Sequence, residues 1–150
     1  MASSGKKINP PLNFRTQRRG IRQVLGALEA DIMECLWGES PASVRDVHES
    51  LSRSRNIAYT TVMTVMSRLA EKGILKRRQD GRAYLYSPVQ SRDEFCAQAI
   101  GTVMKGLLGG FGEPVLSQFV DTVSAEDTAN LDQLQRLIEK KKRESEKSAT

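Results

Sequence analysis

The chain has 150 residues and is short of what catalysis, metal binding and membrane insertion require. It holds one histidine and two cysteines, and aromatic residues make up 5% of it. With His48 alone, no second histidine supports acid–base chemistry. On an apolar-striped helix it reads as a partly exposed, hydrogen-bonded side chain rather than a general base. Cys35 and Cys96 lie too far apart in sequence for a metal knuckle or a redox pair. Both fall on apolar helical stretches, where a free thiol is a small hydrophobe. There is no glycine-rich phosphate loop, no Gly-x-Ser-x-Gly and no metal-ligand cluster. No run approaches the roughly 20 apolar residues that span a bilayer, and no apolar stretch follows the early lysines as in a secretory signal. Pro10-Pro11 interrupts the amphipathic helix of an organelle transit peptide. The expectation is a cytoplasmic, disulfide-free protein that is not an enzyme, needs no cofactor or metal, and does not enter a membrane.

What the chain does have is charge, unevenly placed. The net charge is +5. Residues 1–25 carry Lys6, Lys7, Arg15, Arg18, Arg19 and Arg22 and no acid. Residues 26–90 are nearly balanced at +1, and residues 91–150 stand at −2. The basic character belongs to an N-terminal arm, and the polar, aperiodic stretch 1–24 reads as disordered until it meets a partner.

From Leu25 the pattern becomes helical. Leu28, Ile32, Cys35 and Leu36, widened by Met33 and Trp37, form a first stripe that Gly38 ends. Ser40-Pro41 is a turn. Ser43-Val44-Arg45-Asp46 has the spacing of a capping box, and Val44, Val47 and Leu51 follow as a second stripe. In a third helix, about 58–72, Val62, Val65, Met66 and Leu69 make one apolar face. The opposite face, Tyr59, Thr60, Met63, Thr64 and Ser67, is uncharged and short-chained, and Gly73 is the expected C′ residue. Then come two β-competent runs around Asp80-Gly81, a hairpin signal flanked by Lys76, Arg77, Arg78 and Arg82.

Three helices and a basic hairpin, in that order, are a winged helix-turn-helix. The expected fold is mainly α with a small β-hairpin wing. It has a basic arm at 1–24, a DNA-binding domain at 25–90 and a three-helix dimerisation region at 91–150. In that last region Ser91-x-x-Glu94 caps a helix carrying Phe95, Ala99, Ile100, Val103 and Leu107. Gly109-Gly110-Phe111-Gly112 breaks the chain. Pro114 opens a helix to about Val123 with Val115, Leu116, Phe119 and Val120, and Ser124-Ala125-Glu126-Asp127 caps a last one with Leu131, Leu134, Leu137 and Ile138, ending at Lys140–Arg143. About 60 residues make too small a core alone. A dimer in which each chain supplies half is the economical solution. The alternative is that these helices fold back on the winged helix.

Short hydroxyl side chains on a third helix suit base edges and phosphates in a major groove, and a threonine methyl packs on thymine. Thr61 and Arg68 flank that face. The wing arginines suit phosphate or minor-groove contact, and Arg18 and Arg19 of the arm are further candidate contacts. The plain alternatives stay open: an ordinary exposed helix face, edge-strand charges that block aggregation, and a solubilising tail. Whole-protein alternatives are a winged helix used as a protein-interaction module, or a non-specific DNA-coating protein.

Over about Leu25 to Lys142 the sequence resembles the penicillinase-repressor family, the BlaI/MecI/CopY group. The resemblance is carried by Leu25-Gly26-Ala27-Leu28-Glu29 leading to Leu36-Trp37 and by Val44-Arg45-Asp46-Val47. It is carried above all by Ala58-Tyr59-Thr60-Thr61-Val62-Met63-Thr64-Val65-Met66-Ser67-Arg68-Leu69 with Lys72-Gly73, and by Tyr84-x-Tyr86-x-Pro88. It implies a homodimer that represses transcription from a palindromic DNA operator, with the last three helices as the dimer interface. For the antibiotic-responsive members it implies a membrane sensor that triggers cleavage before a phenylalanine in an Asn-Phe pair. The matching bond here is Gln118–Phe119, with Gln in place of Asn. The Cys-x-Cys metal site of the copper-responsive branch is absent. Where the family often has a serine cap before the third helix this chain has Ala58, leaving Asn56 as the alternative cap. The dimerisation residues on this reading are Phe95, Ile100, Val103, Leu107, Leu116, Phe119, Val120, Leu131, Leu134 and Ile138.

Overall fold

The structure is a computed structural model that describes residues 20–149. Its elements are a 3-10 turn (Gly20–Gln23), α1 (Ala27–Gly38), β1 (Ala42–Ser43), α2 (Val44–Ser52), α3 (Tyr59–Glu71), β2 (Leu75–Asp80), β3 (Ala83–Pro88), α4 (Arg92–Phe111), α5 (Glu113–Glu126) and α6 (Ala129–Ser148). They form two compact units, one through Val103 and one from Met104.

In the first unit each helix sends one stripe inward. α1 buries Ile32, Met33 and Leu36, α2 buries Val44, Val47 and Leu51, and α3 buries Val62, Met66 and Leu69. These are the three- and four-residue spacings of a single helix face. An antiparallel sheet of order β1-β3-β2 adds Leu75 and Tyr86 to the core. The two-residue β1, paired through Ala42 to Tyr86 and Ser43 to Leu85, has no signal of its own beside the Ser40-Pro41 turn. Two residues are too few to show alternation.

Local caps set the helix limits. Ser43 and Asp46 close a capping box on α2: the Asp46 N–H donates to Ser43 Oγ at 3.1 Å, and the Ser43 N–H donates to Asp46 Oδ2 at 2.9 Å. The bonds that the Asp46 carboxylate accepts from the Ser43 backbone and hydroxyl hold its pKa below the usual carboxylate value. α3 ends in a Schellman motif, with Ile74 N–H to the Leu69 carbonyl and Gly73 N–H to that of Ala70, both at 3.0 Å. Gly73 takes φ +80°, a conformation a Cβ would oppose. In the hairpin Asp80 pairs with Ala83. The two turn residues are therefore Gly81 and Arg82, one position beyond the expected Asp80-Gly81. Gly81, at φ +62°, stands first in the turn, where hairpins of this length call for glycine.

Several boundaries differ from the sequence reading. Residues 20–24 are not part of a disordered arm: Ile21 is buried, Val24 packs on the core, and Arg22 pairs with Asp31. The compact units part at Val103, inside α4, and not at residue 90. Phe95 and Ala99 are buried in the first unit, and Phe95 is 1% exposed. Phe95 therefore belongs to the winged-helix core and offers no open face to a second chain. Its ring lies 5.6 Å from that of Trp37, whose indole N–H donates to the Gln90 carbonyl at 3.0 Å. Arg92 Nε donates to both Glu34 oxygens, at 3.0 and 3.2 Å, and that bond raises the guanidinium pKa. Ser91 and Glu94 close the expected capping box on α4.

The second unit holds the end of α4 with α5 and α6. α4 runs through Gly109 and Gly110, and the break falls at Gly112 alone. Glycine weakens a helix by about 1 kcal/mol but does not stop it. Instead of capping the last helix, Ser124–Glu126 finish α5, and the carboxylate of Asp127 accepts the Ala129 N–H at 2.9 Å. α6 continues past Arg143 to Ser148.

Two outcomes test this reading. Phe95→Ala should destabilise the first unit by about 3–5 kcal/mol in denaturant unfolding, the cost of emptying a closed aromatic site. Asp46→Asn should lower stability at neutral pH. A carboxylate with a depressed folded pKa stabilises above its unfolded pKa, and that contribution fades as pH falls through the folded value. The gap between wild type and Asp46→Asn should therefore close on acidification, as read by melting temperature across a pH series.

Candidate nucleic-acid interface

With Val62, Met66 and Leu69 held inward, α3 has no freedom in what it turns outward. Tyr59, Thr60, Thr61, Met63, Thr64 and Arg68 are exposed, and Ser67 is half-buried. Thr60, Thr64 and Ser67 fall on one line at spacings of four and three, and the same line continues to exposed Glu71. The sequence reading missed that acid. Counting one further helical step from Ser67 finds it. The Thr64 hydroxyl donates to the Thr60 carbonyl at 2.9 Å. Its oxygen keeps lone pairs with which to accept, and the residue is exposed. A threonine held this way accepts from a base amino group or packs on a thymine methyl, and does not donate.

Along the strand the wing cations alternate between the two faces of the hairpin. Strand alternation puts Arg77 on the face of Leu75, Tyr84 and Tyr86, and Lys76 and Arg78 on the other, while Arg82 sits at the turn. Arg77 is further fixed: its guanidinium carbon lies 4.9 Å from the centre of the Tyr84 ring. That cation–π contact restrains a long side chain otherwise free in solvent. Lys76 and Arg77 both line one surface cleft with Ser67 and Glu71, so the wing and the end of α3 share a surface. Arg18 and Arg19 lie outside the described residues.

No periodic pattern in the sequence marks the connection between α2 and α3. Arg55 within it pairs with Asp31 at 3.0 Å, and Arg22 reaches the same carboxylate at 2.6 Å. One acid on α1 thus ties both the 3-10 turn and the interhelical connection. His48 donates from Nε2 to the Ile57 carbonyl at 2.8 Å, just before α3 begins. α3 has no side-chain cap at Ala58, and Asn56 does not supply one. Among the described residues no cluster of His, Cys, Asp or Glu is arranged to hold a metal ion.

In the second unit, α5 and α6 bury no residue. There Leu107, Leu116, Phe119, Val120 and Ile138 are exposed and Leu131 and Leu134 are half-buried, while exposed Ile100 and half-buried Val103 belong to the end of the first unit. Phe111 and Leu137, outside the set assigned from sequence, are exposed as well. Met104, Leu107, Phe111, Val115, Gln118 and Phe119 line an apolar groove. Gln118 and Phe119 stand in the middle of helical α5.

A three-helix core, a hydroxyl-faced third helix and a basic hairpin behind it define a winged helix-turn-helix protein, the class that binds nucleic acid. Residues 25–140 match the profile of the penicillinase repressor family. The transcriptional regulator BlaI of Mycobacterium tuberculosis is 42% identical over 105 residues, covering 69% of this chain and 76% of that protein. The penicillinase repressor of Staphylococcus aureus is 27% identical over 82 residues, 55% of this chain and 65% of that one. The solved structure of monomeric Bacillus licheniformis BlaI in complex with the blaP half-operator is similar at 28% identity. Its TM-score is 0.39, over 43% of this chain and 78% of that one. The chain belongs to the penicillinase repressor family, whose members are transcriptional repressors and not enzymes.

If the ring of Tyr84 is what steadies Arg77, Tyr84→Phe should keep duplex affinity and Tyr84→Ala should lose about two- to fivefold, the scale of an exposed cation–π contact. Fluorescence anisotropy with a labelled duplex reads both.

Proposed function

We propose that the protein is a homodimeric transcriptional repressor of a dyad-symmetric DNA operator. In this reading α3 enters the major groove, where Tyr59, Thr60, Met63 and Thr64 meet base edges. Thr61, Ser67, Arg68 and the wing residues Arg77, Arg78 and Arg82 hold the backbone. Arg18 and Arg19 of the arm add phosphate contacts. The observation that carries the proposal is the pairing, in one chain, of that hydroxyl-faced helix with a unit whose helices leave their apolar stripes uncovered. A second copy covers those stripes and also places a second recognition helix one turn of DNA away, about 34 Å. The reading needs no metal or cofactor. It places the protein in the cytoplasm with the DNA it controls, and among the described residues no helix is long and apolar enough to cross a membrane.

Release follows from loss of the dimer. Splitting it halves the phosphate contacts and removes the avidity that joins the half-sites. Cutting at Gln118–Phe119 by a membrane sensor protease is the route that family resemblance suggests. The bond lies within α5, so the helix must open before a protease can take it as extended chain. A second reading, non-specific DNA coating or a protein-interaction module, is favoured by one observation: residues 26–90 carry a net charge of only +1.

The deciding experiment selects duplexes from a random pool and follows their affinity against salt. Recovery of a dyad whose binding weakens steeply with salt, with a scrambled duplex bound far less, supports the repressor. Equal binding of the scrambled duplex overturns it. Leu116→Asp with Phe119→Asp should give a monomer in sedimentation and an affinity for the full dyad lower by about a hundredfold or more. A variant that stays dimeric removes α5 from the interface.

A further inference from the structure

We propose that His48 is a positioning residue for the recognition helix, tethering the chain that leads into its uncapped start. This rests on reading α3 as the helix that enters the groove. Helix starts are ordinarily fixed by a side chain that accepts one of the first backbone N–H groups, and Ala58 has none to offer. A short loop ending in an uncapped helix would leave the first turn free to fray and tilt. Here the restraint comes from α2. The His48 Nε2–H donates to the Ile57 carbonyl at 2.8 Å, two residues before the first residue of α3. The Ser52 hydroxyl donates to the His48 carbonyl at 2.7 Å, and its oxygen lies 3.3 Å from the same Nε2. With its proton given to that carbonyl, the Ser52 oxygen is a second acceptor beside the ring, and it is the Ile57 carbonyl that requires a proton on Nε2. The imidazole also meets the Tyr59 ring edge-on, with centroids 5.7 Å apart and planes at 76°.

His48 therefore touches both the backbone leading into α3 and the first side chain of its outward face. Tyr59 is 45% exposed, so His48 orients a ring that the solvent side does not hold. His48 itself is half-buried between the helices and makes no DNA contact in this reading. Its effect on recognition passes through the entry angle of α3 and the posture of Tyr59. The chain's single histidine is then explained without catalysis.

The test compares His48→Phe with His48→Gln in the full-length protein. Phenylalanine keeps an aromatic edge for Tyr59 and removes the donor. Glutamine places an N–H near the position of Nε2 and removes the ring. The probes are the duplex selected by the wild-type protein and a scrambled duplex of the same length. His48→Phe should lose roughly tenfold on the selected duplex, the scale of one positioned hydrogen bond, while the scrambled duplex is bound as before. His48→Gln should recover most of that loss. An unchanged ratio of selected to scrambled binding in His48→Phe overturns the proposal, as does an equal fall on both duplexes. Nitrogen-15 NMR without DNA gives a separate reading. The neutral ring should be the Nε2–H tautomer, and His48→Phe should speed amide exchange at the start of α3 but not in α1. The opposite tautomer, or unchanged exchange, overturns the tether whatever the DNA result. Wild-type protein that fails to distinguish the two duplexes counts against the repressor reading instead.

Discussion

The outward face of α3 is decided by what α3 buries. Val62, Met66 and Leu69 each lie at 1% exposure or less, wedged among α1, α2 and the sheet. A helix so pinned cannot rotate by one residue without exposing two of these side chains, at about 1.5–3 kcal/mol each. Thr60, Thr64 and Ser67 are outward because the opposite stripe is inward. The chemistry this face would offer to DNA in the proposed reading is thus inherited from core packing.

Electrostatics then limits what this surface does alone. The winged-helix region is near neutral, the wing cations split between two faces of the ribbon, and Glu71 stands on the same line as the threonines. An acid near phosphate weakens non-specific adhesion. It also accepts from a cytosine amino group where one is in reach. A surface of this kind depends on fit more than on charge. The cation–π contact at Arg77 and the ion pairs on Asp31 follow the same economy, since each holds a long arginine in one posture.

Much of this was legible in the sequence where a periodic signal is long. The stripes of α1 to α3, the capping boxes at Ser43 and Ser91 and the Asp80-Gly81 hairpin signal rest on local rules that tertiary packing reinforced. The failures have equally physical causes. β1 is two residues long and exists only because β3 offers it an edge. Ile21 joins the core from a stretch whose composition says disorder, because one buried isoleucine and one ion pair suffice to fix a single turn. Phe95 was assigned to a partner because its spacing continues into Ile100 and Val103. Periodicity along α4 does not tell which neighbour each turn meets, and Trp37 claims the first. Gly109 and Gly110 read as a break because composition counts glycines, whereas only Gly112 adopts a backbone that ends a helix. His48 was read as merely satisfied. Its partner is a backbone carbonyl nine residues away, and no side-chain pattern encodes that.

On the dimeric-repressor reading proposed above, a near-neutral winged helix joined to a unit with exposed apolar helices would place control in the second unit. If one winged helix bound tightly alone, separating two of them would leave both on the DNA, and loss of the dimer would regulate nothing. A weak half-site makes linkage matter, because joining two weak sites multiplies their occupancy while adding no contact. On that account the modest charge of residues 26–90, which favours the second reading, also fits a repressor with weak half-sites. In the proposed reading it is the condition under which loss of the dimer through α5 would release DNA that α3 holds. The stripe that fixes α3 never has to move: with that helix locked to its core, the property left to change is how many such helices are joined.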